Sequence, residues 1–189
     1  MPRTIAGRRV IVRNAVDDDI PGVMNVNLSS LPENYWYGFY KHLLDNWGKA
    51  FFVAELDGQI IGYSMTRIEY TRDPVLLGLA REVENNRSVF SRVIEAIRSQ
   101  LQEARPVGHL VSIAVLKEYR RMGIGSSLLK STIDAVKNYY KAEAMYLEVR
   151  LSNYAAIKFY EKFGFVKARI IRGYYRDGED AFVMVLRFK

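Results

Sequence analysis

Two arginines and two glycines separate an apolar run from an amphipathic segment near the middle of the chain. The apolar run, residues 109–116, is typical of a buried strand, and the polar turn 117–121 follows it. Gly123 and Gly125 then open a segment whose apolar residues have the spacing of one helical face: Leu128, Leu129, Ile133, Val136 and Tyr140. The pattern predicts a strand, a basic turn with glycines, and the start of a helix.

The start of a helix after such a turn can bind a phosphate group. Its first backbone N–H groups lack partners within the helix, and the helix dipole is positive at this end. A Cβ atom at Gly123 or Gly125 would hold an anion away from the backbone. Arg120 and Arg121 add positive charge beside the turn. A tight structural connection would have the same pattern, and the spacing is that of neither a Walker loop nor a three-glycine dinucleotide fingerprint.

The composition is that of an ordinary soluble globular protein. With 189 residues, 49% of them hydrophobic and 26% charged, residues 1–189 are expected to form a single domain. The absence of cysteine excludes disulfides and thiolate chemistry, and with two histidines no metal site is predicted. No apolar run of about 18 residues occurs and the N-terminus is unlike a secretory signal, so we expect no membrane partner and a cytoplasmic location.

The net charge of +7 raises the question of nucleic-acid binding. The excess of basic residues lies mainly in residues 1–13 and 158–189. No basic block alternates with stacking aromatic residues, as it does in proteins that bind single strands. We therefore predict no dedicated nucleic-acid binding, while the basic ends are compatible with docking on the ribosome.

Periodicity and turn residues predict the other elements. The predicted strands, in chain order, are residues 9–13, 50–56, 59–68, 109–116, 144–150, 165–172 and 181–188. The predicted helices are residues 17–27, 36–47, 89–101, 123–141 and 153–162. Asp57-Gly58 predicts a two-residue hairpin turn, Gly48 a helix C-cap, and residues 105–108 the end of a helix. These elements indicate an α+β domain with a mixed sheet of about seven strands, helices on both faces, and an enlarged helical insertion at residues 72–108.

Two separated segments resemble the acetyl-CoA motifs of the GNAT family of N-acetyltransferases. Residues 120–125 are similar to the family's Gln/Arg-x-x-Gly-x-Gly/Ala signature, and residues 153–165 have Asn, Ala and Tyr at the expected steps. The resemblance implies the acyl-CoA N-acyltransferase fold and acetyl-CoA as cofactor. The residues that it assigns to coenzyme binding are Ile113, Ala114, Val115, Arg120, Arg121, Met122, Gly123, Ile124, Gly125, Ser126, Asn153, Ala156 and Tyr160.

Two further segments narrow the resemblance to protein N-terminal acetyltransferases. Residues 31–35 (Leu-Pro-Glu-Asn-Tyr) and 173–181 are similar to segments of NatA-type catalytic subunits, above all of archaeal Ard1-like enzymes, which are related to RimI. The resemblance implies transfer of an acetyl group to the N-termini of proteins or peptides. Phe182 departs from the pattern, since a tyrosine is expected there, and the insertion at 72–108 is longer than expected.

The reaction that the resemblance implies needs a base, because an α-amine with a pKa of about 8 is mostly protonated at neutral pH. Glu33 and His109 are the candidate bases; a first-turn acid and a structural histidine are the alternatives. N–H groups near Ala114 and Val115 would bind the oxyanion of a tetrahedral intermediate. The resemblance assigns Tyr160 as proton donor to the leaving thiolate, and a core tyrosine is the alternative.

The resemblance assigns substrate binding to Leu31, Pro32, Tyr35, Tyr174 and Tyr175. Leu31 and Tyr35 would lie against the first substrate side chain, and the tyrosine pair would bind the peptide backbone. A small pocket lined by leucine favours Ser, Ala, Thr or Gly termini, with tolerance for termini that begin with Met. The alternatives are a lysine or small-amine N-acetyltransferase and a non-catalytic acetyl-CoA-binding module.

Overall fold

A computed structural model describes residues 3–5, 8–79 and 103–188 of the chain. The helix predicted at 89–101, and with it most of the predicted insertion, lies outside the described residues. The chain divides into two compact units. The first contains Met1–Arg67 and Leu110–Tyr139, and the second contains Ile68–His109 and Tyr140–Lys189.

The described residues form eight strands and four α-helices. The strands are β1 (Arg3–Ile5), β2 (Arg8–Asn14), β3 (Phe51–Leu56), β4 (Gln59–Thr71), β5 (Arg105–Val115), β6 (Ala144–Arg150), β7 (Val166–Ile171) and β8 (Ala181–Arg187). The helices are α1 (Ile20–Ser30), α2 (Tyr37–Trp47), α3 (Ile124–Asn138) and α4 (Tyr154–Glu161). Short 3-10 turns occur at Asp17–Asp19, Gly48–Ala50 and Lys117–Tyr119.

The first unit has the strand order β1-β2-β3-β4-β5, and its first four strands pair antiparallel. The hairpin predicted at Asp57-Gly58 is confirmed, because both residues have positive φ angles, 49° and 80°. One core joins apolar residues of α1, α2 and α3 to those of the strands: Val23, Val26, Tyr40, Leu43, Val53, Ile61, Tyr63, Met65, Ala114 and Leu128. The helices are therefore held by burial against the sheet.

An arginine joins β2 and β3 to the turn before α1. The two Arg13 Nη atoms donate to the carboxylate of Asp19 at 2.6 and 2.8 Å, and Nε donates to Glu55 at 2.9 Å. Burial would raise the pKa of Asp19, but hydrogen bonds from Arg13 and from the Val16 N–H outweigh it and hold that pKa below its ordinary value. The helix predicted at 17–27 begins later in the structure: Asp17–Asp19 form a 3-10 turn, and α1 starts at Ile20 with Asp19 as its N-cap residue.

The second unit has the strand order β5-β6-β8-β7. β5 and β6 are parallel, with Val107 opposite Ala144, whereas β8 is antiparallel to both β6 and β7. Its core contains buried residues of these strands and of residues 75–77: Val75, Leu77, Val107, Ala144, Tyr146, Ala168, Val183 and Val185. The predicted mixed sheet is confirmed.

Several predicted boundaries differ from the structure. Residues 105–108 begin β5, where the sequence predicted the end of a helix, because they pair with β6. β1 was not predicted, so the sheet has eight strands where about seven were expected. Gly48 follows α2 as predicted, but its φ of −55° is helical, so the position does not require glycine. No helix in the described ranges is long and apolar enough to cross a membrane.

Candidate active site

The connection between β5 and α3 forms a left-handed glycine turn. We call residues 116–123 the glycine turn. Within it, Arg120 Nε donates to the Val115 carbonyl at 2.9 Å, which fixes the turn to the end of β5. Gly123 is the N-cap of α3 with φ 78° and ψ 7°, a conformation that glycine adopts without strain. Arg121 also has a positive φ, 64°.

The first turn of α3 is anchored by one buried side chain. Ile124 is buried in the core, while Gly125 and Ser126 are half-buried. The Gly123 carbonyl accepts hydrogen bonds from the Ser127 N–H and Oγ at 3.1 and 3.3 Å. The first N–H groups of α3 have no acceptor within the helix and lie beside the exposed Arg121 and Met122. This arrangement can hold a diphosphate.

The predicted coenzyme strand and the glycine turn belong to the same unit. On β5, Ala114 is buried and Ile113 and Val115 are half-buried. Gly62 of β4 makes this end of β5 possible, because a Cβ atom there would lie 3.0 Å from the Ala114 carbonyl oxygen. The sequence analysis missed Gly62, although a glycine inside an apolar strand is a recognised signal of close backbone approach.

A buried hydrogen-bond network fixes the backbone of Glu33, which lies between α1 and α2. Asn27 Nδ2 donates to the Glu33 carbonyl at 3.2 Å and to Tyr63 Oη at 2.8 Å. Tyr63 Oη lies 2.7 Å from Ser112 Oγ on β5, and burial raises the pKa of Tyr63. The segment that carries Glu33 is therefore attached to β4 and β5. The sequence analysis missed Asn27, Tyr63 and Ser112, because no local pattern marks them.

Aromatic rings hold the substrate residues predicted in the first unit. The Tyr35 ring stacks on Phe39 with a centroid distance of 4.7 Å and meets Tyr40 edge-on at 5.9 Å. Tyr40 is fully buried, and burial raises its pKa to about 12. Leu31 is half-buried and Pro32 is exposed. Tyr35 thus combines partial exposure with a position held by two neighbouring rings.

In the second unit, His109 is held between two carboxylates. Its Nε2 lies 2.8 Å from Glu148 Oε2, and its Nδ1 lies 3.2 Å from Glu69 Oε1. Tyr146 donates to the other oxygen of Glu69 at 2.6 Å, and its ring stacks on the imidazole with a centroid distance of 4.4 Å. The sequence analysis missed Glu69, Tyr146 and Glu148. The signal that the sequence offered was Glu148, a charged residue inside the apolar strand predicted at 144–150.

The second motif forms the start of α4. Asn153 is the N-cap of this helix, and its side-chain oxygen accepts a hydrogen bond from the Ala156 N–H at 3.1 Å. Tyr160 is buried between Phe159 and Phe165, with ring centroids 5.4 and 5.8 Å away. Burial raises the pKa of Tyr160, so its phenol keeps its proton.

The predicted peptide-binding tyrosines lie between β7 and β8. We call residues 172–180 the tyrosine loop. Tyr174 is 44% exposed, Tyr175 is half-buried, and their rings meet edge-to-face with a centroid distance of 5.0 Å. The second unit thus brings His109, Asn153, Tyr160 and this pair into one compact body. Phe182, where a tyrosine was expected, has the Lys167 ammonium 4.9 Å from its ring centre.

The mixed sheet, the glycine turn before α3 and the asparagine-capped helix α4 are the features expected of an acetyltransferase of the kind that the sequence resembles. A model of the Acetyltransferase (GNAT) family matches residues 23–165, and the chain belongs to this family. The predicted family, fold and enzyme class are confirmed.

Particular relatives are similar over almost the whole chain. A Saccharolobus solfataricus protein named N-alpha-acetyltransferase is 44% identical over 178 residues, which cover 94% of this chain and 93% of that protein. The Arabidopsis thaliana protein named N-terminal acetyltransferase A complex catalytic subunit NAA10 is 31% identical over 177 residues, which cover 93% of this chain and 76% of that protein. The predicted resemblance to NatA-type catalytic subunits is therefore confirmed.

Solved structures share the fold. Ard1 from Thermoplasma volcanium superposes with a TM-score of 0.72 at 24% identity, covering 95% of this chain and 98% of that one. Chaetomium thermophilum Naa20, solved in complex with a bisubstrate analogue, superposes with a TM-score of 0.70 at 28% identity, covering 94% of this chain and 86% of that one. The mixed sheet with its helices is thus the common architecture of these proteins.

Proposed function

We propose that this protein transfers the acetyl group of acetyl-CoA to the N-terminal α-amino group of other proteins. The observation that carries the proposal is the 44% identity to a protein named N-alpha-acetyltransferase over 94% of the chain. The Arabidopsis relative is named as the catalytic subunit of an N-terminal acetyltransferase complex, which supports the same substrate class. When bound, acetyl-CoA supplies the acetyl group as a thioester.

The glycine turn and the first turn of α3 fit the diphosphate of the coenzyme. Gly123 leaves the backbone accessible, and Ile124, Gly125 and Ser126 supply N–H groups at the positive end of the helix dipole. Arg121 is exposed beside them and adds charge. On β5, N–H groups near Ala114 and Val115 are the candidate donors to the developing oxyanion.

We assign the role of base to Glu33. Both ring nitrogens of His109 already have a carboxylate within hydrogen-bond distance, Nδ1 that of Glu69 and Nε2 that of Glu148, so neither nitrogen is left for the substrate amine. Glu33 is half-buried on the segment between α1 and α2, and its backbone carbonyl accepts from Asn27.

Tyr160 is suited to donate a proton rather than to accept one. Its buried phenol stays protonated, and a proton delivered to the departing thiolate would prevent the reverse attack, but the raised pKa also makes this phenol a weaker acid than an exposed tyrosine. Because a thiolate is already a good leaving group, the contribution of Tyr160 to the rate is expected to be smaller than that of Glu33.

Leu31 and Tyr35 suit a small first side chain. Both are half-buried, and Tyr35 is held by Phe39, so the pocket has little freedom to expand. We expect Ser, Ala, Thr and Gly termini to be preferred, with slower transfer to termini that begin with Met. Binding of the peptide backbone is assigned to Tyr174 and Tyr175. Docking on the ribosome stays a prediction from the basic ends of the sequence.

The test is incubation with acetyl-CoA and five peptides. Four have free termini that begin Ser, Ala, Met-Leu and Met-Glu, and the fifth has a blocked terminus and an internal lysine. Mass spectrometry of the products should place the acetyl group on the α-amine, most rapidly for the Ser and Ala peptides. Acetylation confined to lysine would refute the proposal, and coenzyme binding without transfer would favour a non-catalytic module.

A further inference from the structure

We infer that Arg150 is a positioning residue for the substrate peptide, because it fixes the tyrosine loop to the segment that opens α4. The inference rests on the proposed function, in which Tyr174 and Tyr175 bind the peptide backbone. Arg150 is the last residue of β6, and neither acetyl-CoA binding nor catalysis has been assigned to it. Its role would be to keep the tyrosine pair in place before the peptide arrives.

The guanidinium of Arg150 makes three contacts with the tyrosine loop. Arg150 Nη1 donates to Asp177 Oδ2 at 2.7 Å and to Glu179 Oε2 at 2.9 Å. The guanidinium carbon lies 3.9 Å from the centre of the Tyr175 ring. The Arg150 side chain is only 19% exposed, so these contacts are partly shielded from water. A planar guanidinium can pair with carboxylates and cover an aromatic ring at the same time, which an ammonium group cannot do.

Hydrogen bonds of the loop's own backbone hold Asp177 and Glu179 in the same turn as Tyr175. The Tyr175 N–H donates to the Glu179 carbonyl at 3.1 Å, and the Gly178 N–H donates to the Tyr175 carbonyl at 2.9 Å. The Glu179 N–H donates to Asp177 Oδ1 at 3.1 Å. Both carboxylates that bind Arg150 are therefore part of the turn that carries Tyr175, so movement of the guanidinium would be transmitted to this tyrosine.

The carboxylate of Glu179 also joins the tyrosine loop to the coenzyme motif of the second unit. Glu179 accepts from Arg150 through Oε2 and from the Ser152 N–H through Oε1 at 2.9 Å. Ser152 directly precedes Asn153, which caps α4 through the Ala156 N–H. The residues assigned to peptide and to coenzyme are thus connected through two hydrogen bonds to one side chain.

The charges of the loop explain why removal of the arginine would open it. Hydrogen bonds from the Glu179 N–H and from Arg150 hold the pKa of Asp177 below its ordinary value. Bonds from Ser152 and Arg150 do the same for the pKa of Glu179. Two ionised carboxylates left side by side without Arg150 would repel each other. Since both acids remain charged at neutral pH, their ion pairs with Arg150 are present under the conditions of the reaction.

The experiment compares Arg150→Gln and Arg150→Lys with the matched control Arg172→Gln. Arg172 lies in the same loop, but its side chain is 89% exposed and its contact with Asp180 is 3.5 Å long. Steady-state kinetics with a Ser-initiated peptide and acetyl-CoA give the two KM values and kcat. Amide hydrogen exchange of residues 173–180 reports the order of the loop without any reaction.

Arg150→Gln should raise the peptide KM about tenfold or more, because a misplaced binding group loses orientation, and leave the acetyl-CoA KM within about twofold. Exchange in residues 173–180 should become faster, while exchange in the rest of β6 and β8 stays as in the wild type. Arg150→Lys should restore part of the peptide KM because it keeps the charge. Arg172→Gln should match the wild type in both measurements.

Equal peptide KM values for Arg150→Gln and Arg172→Gln, with a wild type that acetylates N-termini, would overturn the inference and leave the proposed function standing. Proportional changes in both KM values, with faster exchange throughout the second unit, would also overturn it, since Arg150 would then have only a structural role. A wild type that acetylates no N-terminus would refute the proposed function, and with it the substrate role of the loop, whatever the exchange data show.

Discussion

The backbone of Glu33 is fixed by a buried side chain of α1. Asn27 donates to its carbonyl and to Tyr63, so the segment between α1 and α2 is attached to strands that lie far away in sequence. Asn27 is fully buried, and replacing it would leave the Glu33 carbonyl and Tyr63 without this donor. The segment that carries the proposed base is thereby held in place by a buried hydrogen bond.

Glu33→Gln should lower kcat by about 100-fold or more, because the amide keeps the shape of the side chain but cannot accept the proton of the substrate ammonium. Acetyl-CoA affinity should not change. Steady-state kinetics with a Ser-initiated peptide measure the first effect and calorimetry the second. Glu161→Gln, at an exposed position of α4, is the control for loss of one negative charge. An unchanged kcat would remove Glu33 from the mechanism.

Gly123 is the residue that tests the proposed coenzyme site most directly. Gly123→Ala should raise the Kd of acetyl-CoA by about 10- to 100-fold, because a Cβ atom would displace charged phosphate oxygens from one or more N–H groups. Alanine in a left-handed conformation also destabilises the fold by about 1 kcal/mol. Isothermal titration calorimetry measures the Kd.

Gly58→Ala is a matched control for this strain. Gly58 has nearly the same backbone conformation, φ 80° against 78° at Gly123, and a Cβ atom there would have no neighbour within 4 Å. The control variant should therefore show similar destabilisation with wild-type affinity for acetyl-CoA. Equal affinity in both variants would show that the glycine turn does not hold the coenzyme.

Among the elements, the turn before α1 depends on one ion-pair network. Asp19→Asn should lower the free energy of unfolding by about 2 kcal/mol near neutral pH, because two charge-assisted hydrogen bonds from Arg13 are weakened. The pKa of Asp19 is lower in the folded protein than its ordinary value, so this contribution is complete above about pH 5. It is lost as the pH falls through the folded pKa.

Urea denaturation of the wild type and Asp19→Asn at several pH values from about 3 to 7 measures this effect. The difference between the two proteins should be largest near neutral pH and shrink in acid. Asp18→Asn, at an exposed position in the same turn, should differ little from the wild type at every pH. A constant difference across the range would mean that Asp19 acts through packing and not through its charge.

Elements with strong local signals were predicted correctly, and elements defined by distant partners were not. β6 agrees with its predicted bounds, and α4 begins at the predicted cap because Asn153 bonds to the Ala156 N–H. The start of β5 was assigned to a helix end because it contains Pro106 and Gly108. It is a strand because Val107 pairs with Ala144, and the local sequence does not reveal that partner.

For the whole molecule, the sequence identified the family but not the environment of each site residue. Two motifs far apart in sequence were enough to predict an acetyl-CoA enzyme, because each motif is a local structure at the start of a helix. The carboxylates on both sides of His109 come from β4 and β6, so their positions follow from strand register alone. The sequence therefore left the choice between Glu33 and His109 open.

Coenzyme binding should also be visible in the stability of the whole protein. At about 100 times its Kd, a ligand that binds only the folded state adds about 2.7 kcal/mol to the free energy of unfolding. For a chain of this length each kcal/mol corresponds to about 2–4 °C in Tm, so acetyl-CoA should raise Tm by about 5–10 °C.

Differential scanning fluorimetry of the wild type, Gly123→Ala and Arg150→Gln separates the two proposals made for the site. At one fixed coenzyme concentration the shift should be reduced in Gly123→Ala and retained in Arg150→Gln, since the first substitution changes the coenzyme site and the second the tyrosine loop. No shift in the wild type would contradict acetyl-CoA binding itself.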